Sequence, residues 1–168
     1  MYKTEVPSPL GTLTLTSDGE YLTGLFIENQ KYFLYNFPKN LKKEDNLPIF
    51  KETKLWLNDY FNGKNPNPNN LNLNPQGTEF RKIVWQELLK IPYGKTITYK
   101  ELGKKVASKL DKNSMSSQAI GGAVGHNPIS IIIPCHRVIG TNGSLTGYAA
   151  GISKKEYLLK LEQNSKWN

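Results

Sequence analysis

The stretch TYKELGKKVASKLDKNSMSSQAIGGAVGHNP, Thr98 to Pro128, decides how the C-terminal half folds. Thr98 with Glu101 three residues on is a capping box: the threonine oxygen takes an orphaned amide of the first turn, and the glutamate reaches back to the threonine amide. A helix is therefore predicted to start at Tyr99. Ser116 caps a second helix through Gln118, Ala119, Gly122 and Ala123, which ends near Asn127-Pro128 because proline cannot continue it. Two helices with a turn between them read as a helix-turn-helix, although Ala107 to Ser114 is longer than a compact turn. Gly121 and Gly122 are odd inside a helix, where each costs about 0.5–1 kcal/mol relative to alanine. Either a neighbouring helix packs closely on them, or a nucleic-acid groove lies against them.

Working outward, GTEFRKIVWQELLKIP places Phe80, Ile83, Val84, Leu88 and Ile91 on one helical stripe after a Thr78 cap, and Pro92 stops it. On the other side, ISIIIPCHRVIG predicts a buried strand over Ser130 to Ile133, ended by Pro134, so that Cys135 sits where a strand emerges into a turn. SKKE, Ser153 to Glu156, reads as a second capping box, opening a helix that carries Glu162. Upstream, NGKNPNPNNLNLNPQG from Asn62 to Gly77 holds three prolines and seven asparagines with no apolar period, as a linker or long surface loop does. Before it, GTLTLTSDGEYLTGLFIEN alternates apolar and polar residues around Asp18-Gly19, which predicts a hairpin. PIFKETKLWLNDYFNG then spaces Phe50, Leu57 and Phe61 as a helix, with Trp56, Tyr60 and Phe61 read as core. The expected fold is α+β: a small N-terminal β-hairpin and helix domain over residues 1–76, including a linker over about 62–76, and a mostly helical C-terminal domain over 77–168.

Charge separates the same two parts. The formal net charge is +8, yet residues 1–76 carry eight lysines against eight carboxylates, while 77–168 carry fourteen basic residues against six acidic ones. The whole excess lies in the half with Cys135. A lysine-rich solvated face explains that, and so does a surface that neutralises phosphates. No apolar run approaches the ~20 residues of a membrane helix, and MYKTEVPSPL lacks the segments of a secretory signal. A single cysteine excludes an internal disulfide and suits a reducing cytoplasm; one Cys and two His are too few for a cysteine-rich zinc site. The sequence therefore predicts a cytoplasmic protein with no membrane partner, no metal and no cofactor.

A lone cysteine is most often a small buried hydrophobe. Here His136 and Arg137 follow it directly, and both are able to favour a thiolate electrostatically. A thiol of pKa ~8.5 is only slightly ionised at neutral pH, so a nucleophilic role needs such help. On an extended segment adjacent side chains point to opposite faces, so Cys135 and His136 cooperate only if the chain bends or a water bridges them.

Taken together, IPCHRVIG, IGGAVGHNP, GKTITYKELG and GSLTGYAAG resemble the O6-alkylguanine-DNA alkyltransferases over about residues 78–163. That resemblance implies a helix-turn-helix in the minor groove of double-stranded DNA, a flipped O6-alkylguanine, and one irreversible transfer of the alkyl group to Cys135 by a protein acting as a monomer. O4-methylthymine is a further substrate to consider. In the implied roles, His136 takes the thiol proton through a water, Glu162 orients His136, Tyr99 donates to the guanine oxygen and Asn127 fixes the active-site turn. Tyr148, Ala149, Pro134 and Val138 line the pocket, while Gln118, Ala119, Gly122, Ala123, Arg137 and Thr98 meet DNA. Gln118 stands where many relatives carry an intruding arginine, so the contact it offers is uncharged. Taken singly, Tyr99 also reads as a half-buried aromatic, Asn127 as a helix C-cap and Glu162 as a solvated charge. A cysteine hydrolase using Cys135 with His126 or His136, and a DNA-binding module that only recognises alkylated bases, are the rival readings.

Overall fold

The computed structural model describes residues 1–165. In the N-terminal part the alternating segment forms the expected hairpin, β2 (Gly11–Ser17) against β3 (Leu22–Ile27), and a further strand, β1 (Tyr2–Ser8), extends it. With the short β4 (Lys42–Lys43) the sheet order is β3-β2-β1-β4. β1 and β2 pair antiparallel from Tyr2 opposite Ser17 to Ser8 opposite Gly11, and β4 runs parallel to β1. Gly11 is required at the β1–β2 turn: its φ is +96°, and a Cβ there would strike the Glu28 carboxylate. Helix α1 (Pro48–Phe61) starts with proline, whose missing N–H is an orphan at that position anyway, and buries Ile49, Phe50, Thr53, Trp56, Leu57 and Tyr60.

All six residues of β3 are buried, as they are in a strand whose surroundings are covered. Its outer edge is closed by two later segments. The Leu22 amide donates to Asn72 O (2.8 Å) and the Asn74 amide to Leu22 O (2.8 Å), so the Asn/Pro-rich segment is laid along the sheet; it also contains a 3-10 turn at Pro68–Asn70 and buries Leu71. The Leu25 amide donates to Pro128 O (2.8 Å) and the Ser130 amide to Leu25 O (3.0 Å). An edge that would otherwise invite another strand is thus used to seat the residues leading to Cys135.

The C-terminal part packs α2 (Glu79–Leu88), α3 (Tyr99–Lys109) and α4 (Ser117–Gly125) against one another around Val84, Trp85, Leu88, Leu102, Val106, Ile120 and Val124. The caps form as the sequence predicts: Thr78 accepts from the Arg81 amide, Thr98 and Glu101 make the reciprocal box, and Ser116 accepts from the Ala119 amide. The architecture is α+β, with strands first and helices after. Among the described residues no helix is long and apolar enough to cross a membrane.

Two local expectations are corrected and one open alternative is decided. Ser130 to Ile133 is a buried turn, not a strand: Ile131 has φ +73° and the Ile133 amide donates to Ile129 O (3.1 Å), so the run closes on itself. Helix α5 (Ile152–Gln163) opens two residues earlier than the Ser153 box, after Gly151 at φ +102°; Ser153 lies inside it, and Glu156 pairs with Lys160 at 2.8 Å instead. Gly121 and Gly122 carry no packed neighbour, because a Cβ built on either meets nothing within 4 Å. The helix-packing explanation for them is excluded, and α4 presents a bare glycine face.

Candidate active site

Asn127 shapes the segment that carries the thiol. Its Nδ2 donates to Ile133 O (2.8 Å) and its Oδ1 accepts from the Ile129 amide (3.0 Å), so one buried amide side chain spans the turn. The Cys135 amide donates to Ile133 O (2.8 Å), and Cys135–Arg137 then winds as a 3-10 turn. That bend removes the opposite-face restriction an extended chain would impose on Cys135 and His136. Directly after it, β6 (Val138–Ile139) pairs in parallel with β5 (Ile97–Thr98), Val138 opposite Ile97 and Ile139 opposite Thr98. Because Tyr99 is the next residue after β5, this two-residue ladder brings the start of α3 beside the cysteine turn.

Glu162, fully buried late in α5, is the hub behind the turn. Its two oxygens accept from His136 Nε2 (2.7 Å), Arg137 Nε (2.9 Å), Arg137 Nη2 (3.1 Å), the Tyr60 hydroxyl (2.6 Å) and the Gly94 amide (3.1 Å). Burial alone would raise this carboxyl, but the hydrogen bonds from His136 and Arg137 and the Arg137 charge outweigh it and hold the group well below the usual carboxylate range. An ionised Glu162 fixes the proton of His136 on Nε2 and leaves Nδ1 as the basic nitrogen. His136 Nδ1 is buried with no hydrogen-bond partner among the described residues. Burial pushes the imidazole below its ordinary value against the opposing pull of Glu162, so it is neutral at pH 7 and able to accept a proton.

The thiol experiences opposing effects. Burial pushes Cys135 up, while the Asn127 side chain, the Lys155 charge and its own amide pull it down. Lys155 is fully buried, donates to Val138 O (2.5 Å) and Thr146 O (2.9 Å), and lies 5.8 Å from the centre of the Tyr99 ring. Burial lowers its own ammonium and the Cys135 charge raises it. Tyr99 is half-buried, donates to Thr146 O (3.3 Å), and is raised by burial and by the Cys135 charge, so it stays protonated as a donor. Tyr148 is buried and its hydroxyl has no partner among the described residues; burial and the Cys135 charge hold that hydroxyl well above the ordinary phenol value.

The structure therefore gathers Cys135, His136, Glu162, Asn127, Tyr99 and Tyr148 around one buried turn. Pro134 is buried immediately before the thiol, and Ala149 is half-buried, its carbonyl accepting from the Lys31 amide (3.0 Å). Three expectations need correction. Arg137 faces inward, and its guanidinium is committed to Glu162 and to Ile91 O (2.7 Å) inside the fold. Ala123 is buried in the helical core and its carbonyl accepts from the Trp85 indole (2.8 Å), so it does not reach a groove. Val138 is fully buried and offers the site only its carbonyl, through Lys155. Thr98 is half-buried at the start of α3, where its hydroxyl takes part in the capping box. Gln118 is exposed and Ala119 and Gly122 are half-buried on α4, as a surface contact needs. Sequence reading missed Tyr60, Gly94 and Lys155: Tyr60 was read as core, the other two were not singled out, and nothing local marks a lysine for burial.

Two family models account for the chain. One, described as 6-O-methylguanine DNA methyltransferase, ribonuclease-like domain, matches residues 1–75, and the other, described as 6-O-methylguanine DNA methyltransferase, DNA binding domain, matches residues 79–164. The chain belongs to the 6-O-methylguanine DNA methyltransferase family. Among curated relatives in that family, the methylated-DNA–protein-cysteine methyltransferase of Haemophilus influenzae is 42% identical over 97% of this chain and 87% of its own length. The protein of the same name from Methanosarcina acetivorans is 44% identical over 96% of this chain and 98% of its own. Solved methyltransferase structures are similar throughout: Mycobacterium tuberculosis OGT in complex with DNA superposes with a TM-score of 0.80 at 37% identity, covering 97% of this chain and 93% of that one. An O6-methylguanine DNA methyltransferase from Methanococcus jannaschii gives 0.68 at 26% identity, over 98% of this chain and 96% of its own.

Proposed function

We propose that this protein repairs DNA by direct reversal, moving the alkyl group of an O6-alkylguanine onto Cys135 once and irreversibly. The observation that carries the reading is the chain Glu162–His136 ending on an unpartnered, buried imidazole nitrogen, in the residue next to a buried cysteine. The damaged base must leave the duplex to reach a thiol this deep. α4 supplies the approach: with Gln118, Ala119 and the bare glycine face it lies along the minor groove, where small residues let backbone and sugars come close. Residues 77–168 bear the chemistry and the positive charge, and residues 1–76 brace the turn through the edge of β3.

In the transfer, the thiol proton passes through a water to His136 Nδ1, and Glu162 stabilises the imidazolium that forms. The sulfur lone pair attacks the alkyl carbon; the carbon–sulfur bond forms as the carbon–O6 bond breaks, and its electron pair stays on the guanine. Tyr99 donates to O6 as charge develops there, and Tyr148 stacks within the pocket. The guanine anion that leaves takes up one proton, relayed through Tyr99 or water and balanced by the one His136 has accepted, so the products are a thioether and an unmodified guanine. No group in the site removes an alkyl from sulfur, so each protein molecule acts once. A cysteine hydrolase would instead turn over on an acyl substrate.

A titration tests this reading. Duplex DNA carrying O6-methylguanine is mixed with increasing protein, and repaired lesions are counted at the end point. Repair is expected to rise linearly and stop at one lesion per protein molecule; repair that continues past equivalence overturns the single-use mechanism.

A further inference from the structure

Three exposed large apolar side chains fall within four residues of the loop between β3 and β4. Tyr32, Phe33 and Tyr35 are 45%, 42% and 49% exposed. Clustered rings facing water mark interaction surfaces more often than scattered ones do. The loop that carries them is anchored. Phe33 and Phe37 pack on Phe26, the Lys31 amide donates to Ala149 O (3.0 Å), and the Tyr32 ring stacks on His126 at 3.9 Å between centroids with the planes 25° apart. Tyr35 meets the same imidazole edge-on at 5.4 Å. His126 is the C-cap of α4, with its Nδ1 2.7 Å from Gly122 O. Tyr32 and Leu34 hold φ of 59° and 53°, the left-handed region that side chains with a Cβ rarely adopt, so packing keeps the loop in a shape its residues would not choose.

The rings thus sit between the C-terminal end of α4 and the pocket rim at Ala149. We propose that Tyr32 and Tyr35 form a second DNA-contact element, which continues the α4 surface onto the N-terminal part and takes the DNA beside the flipped base by ring stacking. The proposal rests on the DNA-repair reading above. Continuity with α4 favours DNA over another occupant, and charge agrees: residues 30–40 contain Lys31 and Lys39 and no carboxylate, and Arg81 lines the cavity under the loop. Stacking needs no sequence match, because every base has a π-face, and the departure of the flipped guanine uncovers the faces of its neighbours in the duplex. It also suits a helix whose first turn offers Gln118 in place of a cation: affinity gained at the far end of α4 does not depend on salt.

The test uses the double variant Tyr32→Leu/Tyr35→Leu and the single variant Tyr35→Leu, which keeps the Tyr32–His126 stack. Affinity is measured on a duplex carrying O6-methylguanine at several salt concentrations, and alkyl transfer is measured with the free base O6-benzylguanine, which needs no DNA contact. The double variant is expected to bind DNA about fivefold or more weakly, with an unchanged salt slope and wild-type transfer from the free base; Tyr35→Leu alone moves affinity the same way. Affinity within about twofold of wild type with normal free-base transfer overturns the proposal. So does a wild-type dimer in sedimentation that the leucine variants dissociate, since the rings would then be covered by a second copy. If the wild-type protein takes an alkyl group from neither substrate, the DNA-repair reading itself fails.

Discussion

Cys135 is a buried thiol whose reactivity depends on what opposes its burial. Of the charges around it, Arg137 is spent on Glu162 and His136 is neutral, which leaves Lys155 as the cation that favours the thiolate. Lys155→Met is expected to move the rising limb of the transfer rate to higher pH, so that transfer slows below the limb and recovers in alkali; a pH–rate profile on free O6-benzylguanine checks this. Tyr99→Phe keeps the ring and removes the donor, so single-turnover transfer should fall by about a hundredfold while DNA affinity holds. Glu162 carries a stability prediction as well. Its folded carboxyl lies below its ordinary value of 4.5, so its contribution is present above that pH and is lost as pH falls through the folded value. Glu162→Gln should lower unfolding free energy at pH 7 by about 3–5 kcal/mol, and the gap to wild type in denaturant titrations should narrow as the solution is acidified below about 4.5.

At the scale of elements, the caps and the amphipathic stripes were legible because each is written in four to a dozen consecutive residues: Thr98 with Glu101, Ser116, Thr78, and Phe80 to Leu88. The run Ser130 to Ile133 misled because four apolar residues fit a buried turn as well as a strand, and what decides is a side chain upstream, Asn127, bonding across the segment. Ser153 misled for a related reason: the box pattern is present, but Gly151 lets the helix begin earlier. Tyr60 was illegible as a site residue because its partner is distant in sequence, Glu162 lying 102 positions away, and Lys155 because its partners are backbone carbonyls, which no residue type marks. The glycines of α4 could be read as odd, yet only the structure shows that nothing packs on them. Gly122→Ala should therefore stabilise the fold by up to about 1 kcal/mol, as alanine does in an open helix position, while weakening DNA binding, since the new methyl group fills open space on the face proposed to meet the groove. Thermal unfolding and a DNA titration on the same variant separate the two effects.

Across the whole molecule, two halves of different composition serve one buried turn. The neutral N-terminal part lends the edge of β3 and the Tyr60 hydroxyl, and the basic C-terminal part holds the thiol, its hydrogen-bond chain and α4. The charge asymmetry was plain in the sequence, but the way the Asn/Pro-rich segment lies along β3 was not, because its contacts are backbone bonds that any residue makes. Family membership covers both halves, whereas the roles of individual residues rest on the geometry of this chain. The most direct test is intact mass before and after incubation with duplex DNA containing O6-methylguanine, for wild type and Cys135→Ser. Wild type should gain a single methyl group, about 14 Da as a thioether in place of a thiol, located on Cys135, and Cys135→Ser should gain nothing; an unmodified wild-type protein after the lesion has gone, or a methyl group on another residue, would contradict the account.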